Sequence, residues 1–141
     1  MRADQDLKMA SVLVDTNILV DLYTEDVNWE DRSAAALASA ADASPLVINP
    51  IIYAELSIRF ARIEELDQFL GTDFRRDPLP WQAGFVAGKA FLAYRKRGGQ
   101  KTSPLPDFYI GAHAAVEGMT ILTRDSQRYV TYFPSVKLLV P

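Results

Sequence analysis

The sequence predicts an α/β fold built around a mostly parallel sheet of four to five strands. Short apolar, β-branched runs alternate along the chain with segments of helical apolar spacing, and helix caps, prolines and glycines fall at the boundaries between them. The length of 141 residues and the hydrophobic content of 49% fit one compact domain with a single core.

Residues 1–10 are polar and aperiodic and read as a tail, which leaves residues 11–141 as the domain. Ser11 to Val14 is the first strand-like run. Asp15, Thr16 and Asn17, all good helix caps, introduce a helical stretch from Ile18 to Tyr23. Ser33, Ala36, Leu37 and Ala40 recur at helical spacing, so a second helix is expected over Asn28–Ala41, with Asn28 as its cap. Leu46 to Asn49 is the next strand. Pro50 suits a first helical turn, and a helix carrying Glu55 follows over Ile51–Phe60. A further helix is expected over Ile63–Leu70.

Phe74 to Leu79 is a weak strand candidate. Pro80 opens a long helix with the stripe Trp81, Phe85, Gly88 and Leu92, read as core or alternatively as a dimer face, and Gly98 and Gly99 end it. Gln100 to Leu105 reads as loop. Pro106 starts another helix, Met119 to Thr123 is a strand, Ser126 to Tyr132 a short helix and Val136 to Val140 a last strand. Parallel sheets of this kind bind ligands outside the carboxyl ends of their strands, where strand order reverses. Asp15 and Asp125 fall at two such ends.

Composition narrows the chemistry. With no cysteine, disulfides and thiolate metal sites are excluded, and any metal must be held by oxygen ligands or by the one histidine. No stretch approaches the roughly 20 apolar residues of a membrane span, and a soluble cytoplasmic protein is expected. The net charge is −3, but four candidate site acids, Asp15, Glu55, Asp107 and Asp125, account for more than all of it. Acidity therefore argues only weakly against a polyanionic substrate, because a bound cation reverses the local field.

Each of these acids also has a plain reading. Asp15 and Asp125 suit helix capping, and Asp107 in a first turn gains about 0.3–1 kcal/mol from the helix dipole. Glu55 is harder to dismiss, since Ile51, Ile52 and Ile58 at helical spacing put it on an apolar face, where a carboxylate needs a cation. An ion pair with Arg59 is the alternative. Beyond Asp107, Ile110, Gly111, Ala114 and Gly118 form a mostly small face suited to close packing on the sheet. Converging carboxylates repel unless hard cations such as Mg²⁺ or Mn²⁺ neutralise them, and such sites suit attack of water on a phosphodiester.

Four stretches carry a more specific signal: Leu13-Val14-Asp15-Thr16-Asn17-Ile18-Leu19, Asn49-Pro50-Ile51-Ile52-Tyr53-Ala54-Glu55-Leu56, Leu105-Pro106-Asp107-Phe108-Tyr109-Ile110-Gly111-Ala112-His113-Ala114, and Leu122-Thr123-Arg124-Asp125. Together they resemble the blocks of PIN-domain proteins, and among those the VapC-type toxins, whose tail the segment Arg124 to Tyr129 with Tyr132-Phe133-Pro134 also resembles. The resemblance implies a three-layer α/β/α fold and a Mg²⁺- or Mn²⁺-dependent ribonuclease. It further implies the toxin of a toxin–antitoxin pair, often dimeric and inhibited by a small antitoxin. Asp15, Glu55, Asp107 and Asp125 take the metal-binding and catalytic places, with Asn17 and Thr123 as supporting residues. Many PIN proteins carry another acid shortly after the position of Asp125. Here Ser126, Gln127 and Arg128 follow, so the resemblance does not imply a complete second metal site.

Arg95, Lys96, Arg97 and Lys101 form a basic cluster that reads either as an RNA-phosphate contact or as cations complementing a helix C-terminus. His113, about 240° round its helix from Asp107, is expected to point away from the acids. Two other phosphoryl-chemistry classes fit less well. Haloacid dehalogenase-like phosphatases need a second Asp where Asn17 stands, and a response-regulator receiver leaves Glu55 unexplained. A PIN-like scaffold that binds RNA or protein without cutting is the non-enzymatic alternative.

Overall fold

The structure, a computed structural model, describes residues 10–102 and 105–141; the tail expected over residues 1–10 lies outside this range except for Ala10. Among the described residues, five strands and seven helices alternate. They are β1 (Val12–Val14), α1 (Thr16–Thr24), α2 (Glu30–Ala43), β2 (Leu46–Ile48), α3 (Pro50–Ser57), α4 (Ile63–Leu70) and β3 (Phe74–Arg76). There follow α5 (Trp81–Lys96), α6 (Pro106–Glu117), β4 (Thr120–Leu122), α7 (Gln127–Tyr132) and β5 (Leu138–Leu139).

The sheet runs β3-β2-β1-β4-β5 and every pairing is parallel. This is the central layer of a three-layer α/β/α fold. Strands β1, β2 and β4 are buried throughout, as parallel strands covered on both faces must be. The edge strands β3 and β5 are partly exposed. Leu13 pairs with Val47 on one side and Ile121 on the other. The order reverses between β1 and β4, which makes their carboxyl ends the switch point of the sheet.

The helix boundaries follow their caps. Asn49 accepts from the Ile52 N–H at 3.0 Å and Pro50 occupies the first turn of α3, an arrangement that spares a backbone donor. Gly118 ends α6 in the left-handed conformation, with φ of 67°, which glycine adopts without steric cost. The cap of α2 differs from expectation. Asn28 does not serve; Asp26 accepts from the N–H groups of Asn28 and Trp29 at 2.8 and 3.0 Å, and the helix starts two residues later.

Helix α5 corrects the expected core stripe. Trp81 is 95% exposed, Phe85 69% and Leu92 49%, while Ala83, Ala87 and Ala90 face the interior. Small side chains bring α5 close to α6, so the large residues of the same helix are left on its outer side. No helix among the described residues is long and apolar enough to cross a membrane.

Candidate functional site

The last residues of β1 and β4 emerge side by side. The Asp15 N–H donates to the Leu122 carbonyl at 2.9 Å, extending the ladder by one rung. The next residue along the neighbouring strand, Thr123, therefore faces Asp15, and its hydroxyl donates to Asp15 Oδ2 at 2.9 Å. Asp15 also caps α1, accepting from the Thr16 N–H at 2.8 Å. The capping reading and the site reading hold together.

Asp15, Asn17, Glu55, Asp107 and Asp125 line one cleft of about 320 Å³, with Thr16, Val20, Arg59 and Arg124. Four elements supply its acids: the β1–α1 turn, α3, the first turn of α6 and the loop after β4. Although the four carboxylates face one space, no three acids or histidines among the described residues are drawn together tightly enough to hold an ion as they stand.

Each acid has its own surroundings. Asp15 is buried, and a third donor reaches it: the Tyr129 hydroxyl, 2.9 Å from Oδ2. Burial raises the Asp15 pKa despite these hydrogen bonds, with the charge on Glu55 adding to the effect. Glu55 accepts a 2.6 Å hydrogen bond from the Thr16 hydroxyl. It forms no ion pair with Arg59 among the described contacts, and partial burial and the charge of Asp107 raise its pKa. The apolar face expected around it is incomplete, because α3 ends at Ser57 and Ile58 is 83% exposed. Glu55 borders the cleft and not the core.

Asp107 is pushed to about 6, first by desolvation and then by the charges of Asp15 and Asp125, with Arg128 opposing. Asp125 is exposed, and its N–H donates to the Thr123 hydroxyl at 3.1 Å. Asn17 braces the strand ends. Its amide donates to the Thr123 hydroxyl at 3.1 Å and its carbonyl accepts from the Arg124 N–H at 3.2 Å.

These features fit a hard divalent cation. The donors are carboxylate oxygens on a partly dehydrated surface, and three of them hold protons more tightly than usual because burial, and then the charges of neighbouring acids, disfavour their ionised forms; hard oxygen donors of this kind suit such an ion. His113 takes no part. It is fully buried and its Nδ1 meets Asn49 Nδ2 at 3.0 Å, away from the acids.

Local sequence pattern does not assign Tyr129, Thr16 or Arg128 to the site. Tyr129 and Arg128 sit on α7, far along the chain, and no spacing rule connects them to Asp15 or Asp107. Asp21 is another such case: it is buried on α1, accepts from Ser33 at 2.8 Å and pairs with Arg124 at 2.9 Å. Arg124 is thereby engaged on the wall of the cleft.

The basic cluster stands to one side of the cleft. Arg95, Lys96, Arg97 and Lys101 are exposed around the end of α5, where Arg95 donates to the Lys101 carbonyl at 2.6 Å. The Arg97 guanidinium lies over the Tyr132 ring at 5.8 Å, Tyr132 packs edge-on against Phe108 at 5.4 Å, and Phe108 carries Arg128 at 5.5 Å. The helix-end and substrate-facing readings of the cluster are both compatible with this placement.

Comparison with solved structures finds the same architecture. VapBC2 from Rickettsia felis, bound to a DNA fragment from their promoter, superposes with a TM-score of 0.71 at 19% identity, covering 92% of this chain and 98% of that one. VapBC-1 from nontypeable Haemophilus influenzae gives 0.70 at 18% identity, with 92% and 97% covered. A toxin–antitoxin complex from Klebsiella pneumoniae gives 0.63 at 20% identity, with 92% and 97% covered. No curated protein matches the sequence. A family model described as the PIN domain matches residues 12–133, a span that begins at β1 and closes just after α7, and the chain belongs to that family.

Proposed function

We propose that this chain is a divalent-metal-dependent endoribonuclease that hydrolyses RNA phosphodiester bonds in the cytoplasm, as the toxin of a toxin–antitoxin pair. The observation that carries the reading is the convergence of Asp15, Glu55, Asp107 and Asp125 on one cleft at the switch point of the sheet. Asp15, Asp107 and Asp125 with Glu55 would hold Mg²⁺ or Mn²⁺. When bound, such an ion lowers the pKa of an attacking water and steadies the leaving oxygen.

The protein's own groups do the rest. Tyr129 and Thr123 fix the Asp15 carboxylate from behind, and Tyr129 remains a donor because its phenol is held far above its ordinary pKa by burial and the nearby acids. Thr16 fixes Glu55. The exposed Arg95, Lys96, Arg97 and Lys101 supply a path for the RNA backbone, and binding through them weakens with salt.

Partners follow from the same reading. The structural relatives named above include VapBC assemblies and a toxin–antitoxin complex, which supports a small antitoxin as the inhibitory partner. The outward apolar residues Trp81, Phe85 and Leu92 support a homodimer joined through α5.

A non-cutting PIN scaffold draws support from the looseness of the acid cluster. The separating experiment is incubation of structured RNAs with Mg²⁺ or Mn²⁺, alongside EDTA and Asp15→Asn. Cleavage lost in both controls is expected; RNA binding indifferent to metal, with no cutting, would replace the nuclease by the scaffold. Growth arrest on expression, relieved by a co-encoded small protein, tests the toxin role.

A further inference from the structure

One basic side chain among the described residues forms an ion pair with a cleft carboxylate. Arg128 Nε lies 3.4 Å from Asp107 Oδ2, with the two side chains 34% and 38% exposed. Its guanidinium is held from behind by two rings, 5.5 Å from the centroids of Tyr94 on α5 and Phe108 on α6. Cation–π contacts of this kind favour a charged group that keeps one edge free. Two successive residues of α7 thus serve two acids: Arg128 faces Asp107, and Tyr129 donates to Asp15.

We propose that Arg128 is a resident cation of the cleft, which competes with a divalent ion for Asp107 and donates to an RNA phosphate once that ion is bound. The inference rests on the nuclease reading. Three features support it. The Arg128 Nε stands 3.4 Å from an Asp107 oxygen, so it shares the site's charge balance. The aromatic support fixes the guanidinium whether or not Asp107 remains its partner. An arginine fork also matches phosphate oxygens in the same two-pronged way as a carboxylate. Through Phe108 and Tyr132, the Arg128 support adjoins Arg97, so a polyanion lying on the basic cluster would reach the acids past Arg128.

The two roles move two measurements in opposite directions. Removing the guanidinium frees Asp107 for metal but deprives the phosphate of a donor. Metal-free protein is titrated with Mn²⁺ at pH 7.5 by electron paramagnetic resonance for wild type, Arg128→Ala and Arg128→Lys, and cleavage of a fluorescent RNA oligonucleotide is followed in saturating Mn²⁺. For Arg128→Ala, Mn²⁺ is expected to bind roughly 3- to 5-fold tighter, the size set by a half-exposed ion pair. Cleavage falls about 10- to 100-fold, as for loss of one charged hydrogen bond. Arg128→Lys restores wild-type Mn²⁺ affinity while leaving cleavage reduced, since an ammonium lacks the fork.

Mn²⁺ binding that is unchanged or weaker in Arg128→Ala overturns the competition, and cleavage that is unchanged overturns the phosphate role. A wild type that binds Mn²⁺ with the expected Arg128 effect but cuts no RNA removes the nuclease reading and leaves the competition standing. A wild type that neither binds Mn²⁺ nor cuts removes both.

Discussion

The hydroxyl of Tyr129 donates to Asp15 Oδ2 at 2.9 Å across 114 residues of chain. This bond, with that from Thr123, faces a carboxylate that burial alone would make reluctant to ionise. Tyr129→Phe is expected to cost about 1–3 kcal/mol in urea unfolding, because it removes one of the hydrogen bonds to a buried carboxylate. It also raises the Asp15 pKa further, so the acid limb of the pH–rate profile for RNA cleavage moves to higher pH. A profile that stays in place would dissociate Tyr129 from the chemistry.

The metal-free protein should gain stability on mild acidification. Asp107 in the folded state holds its proton up to about pH 6, against an ordinary value of 3.8, and Asp15 and Glu55 shift in the same direction. The folded state therefore binds more protons than the unfolded one. The resulting stability is complete below the ordinary carboxylate range and is lost as pH rises through about 6. Solvent screening of the partly exposed Asp107 limits its share to about 1 kcal/mol. In EDTA the Tm is expected to rise between pH 7.5 and 5; saturating Mn²⁺ at pH 7.5 removes most of that difference. A Tm in EDTA that declines steadily over this interval would contradict the charge crowding.

Gly111 lies where α6 meets the loop after α7, and a Cβ there would drive into the Phe133 ring. Gly111→Ala is expected to destabilise by about 1–3 kcal/mol through overpacking. Because α6 carries Asp107 in its first turn, Mn²⁺ affinity falls as well. Calorimetry of the variant with and without Mn²⁺ separates the two effects; wild-type stability would mean that Phe133 moves aside without cost.

The exposed apolar face of α5 gives a prediction about assembly. Trp81→Ser combined with Phe85→Ser should convert a dimer to a monomer in light scattering while changing monomer stability little, because neither side chain is in the core. A dimer that persists would place the contact elsewhere.

Element order and the chain positions of the acids are legible from residue pattern alone. Asp15 and Asp125 are readable because a strand must end where its apolar run gives way to capping residues, and parallel sheets place such ends together. Helix α4 runs over Ile63–Leu70, as periodicity indicates, because its apolar and polar faces are cleanly divided. For helix α5 the core reading of Trp81, Phe85 and Leu92 fails and the dimer-face alternative stays open, since size and apolarity do not specify which side of a helix packs. The alanines Ala83, Ala87 and Ala90 won that face by permitting a closer approach to α6.

What each acid meets is set by packing in three dimensions. Tyr129 on Asp15, Thr16 on Glu55 and Arg128 on Asp107 depend on where α7, α1 and α3 come to rest after the sheet has formed. Spacing rules describe neighbours along one helix or strand, whereas these pairs are set by the packing of separate elements. The carboxylates' chemical type is local information, but their proton affinity depends on burial and on charges brought from elsewhere in the chain.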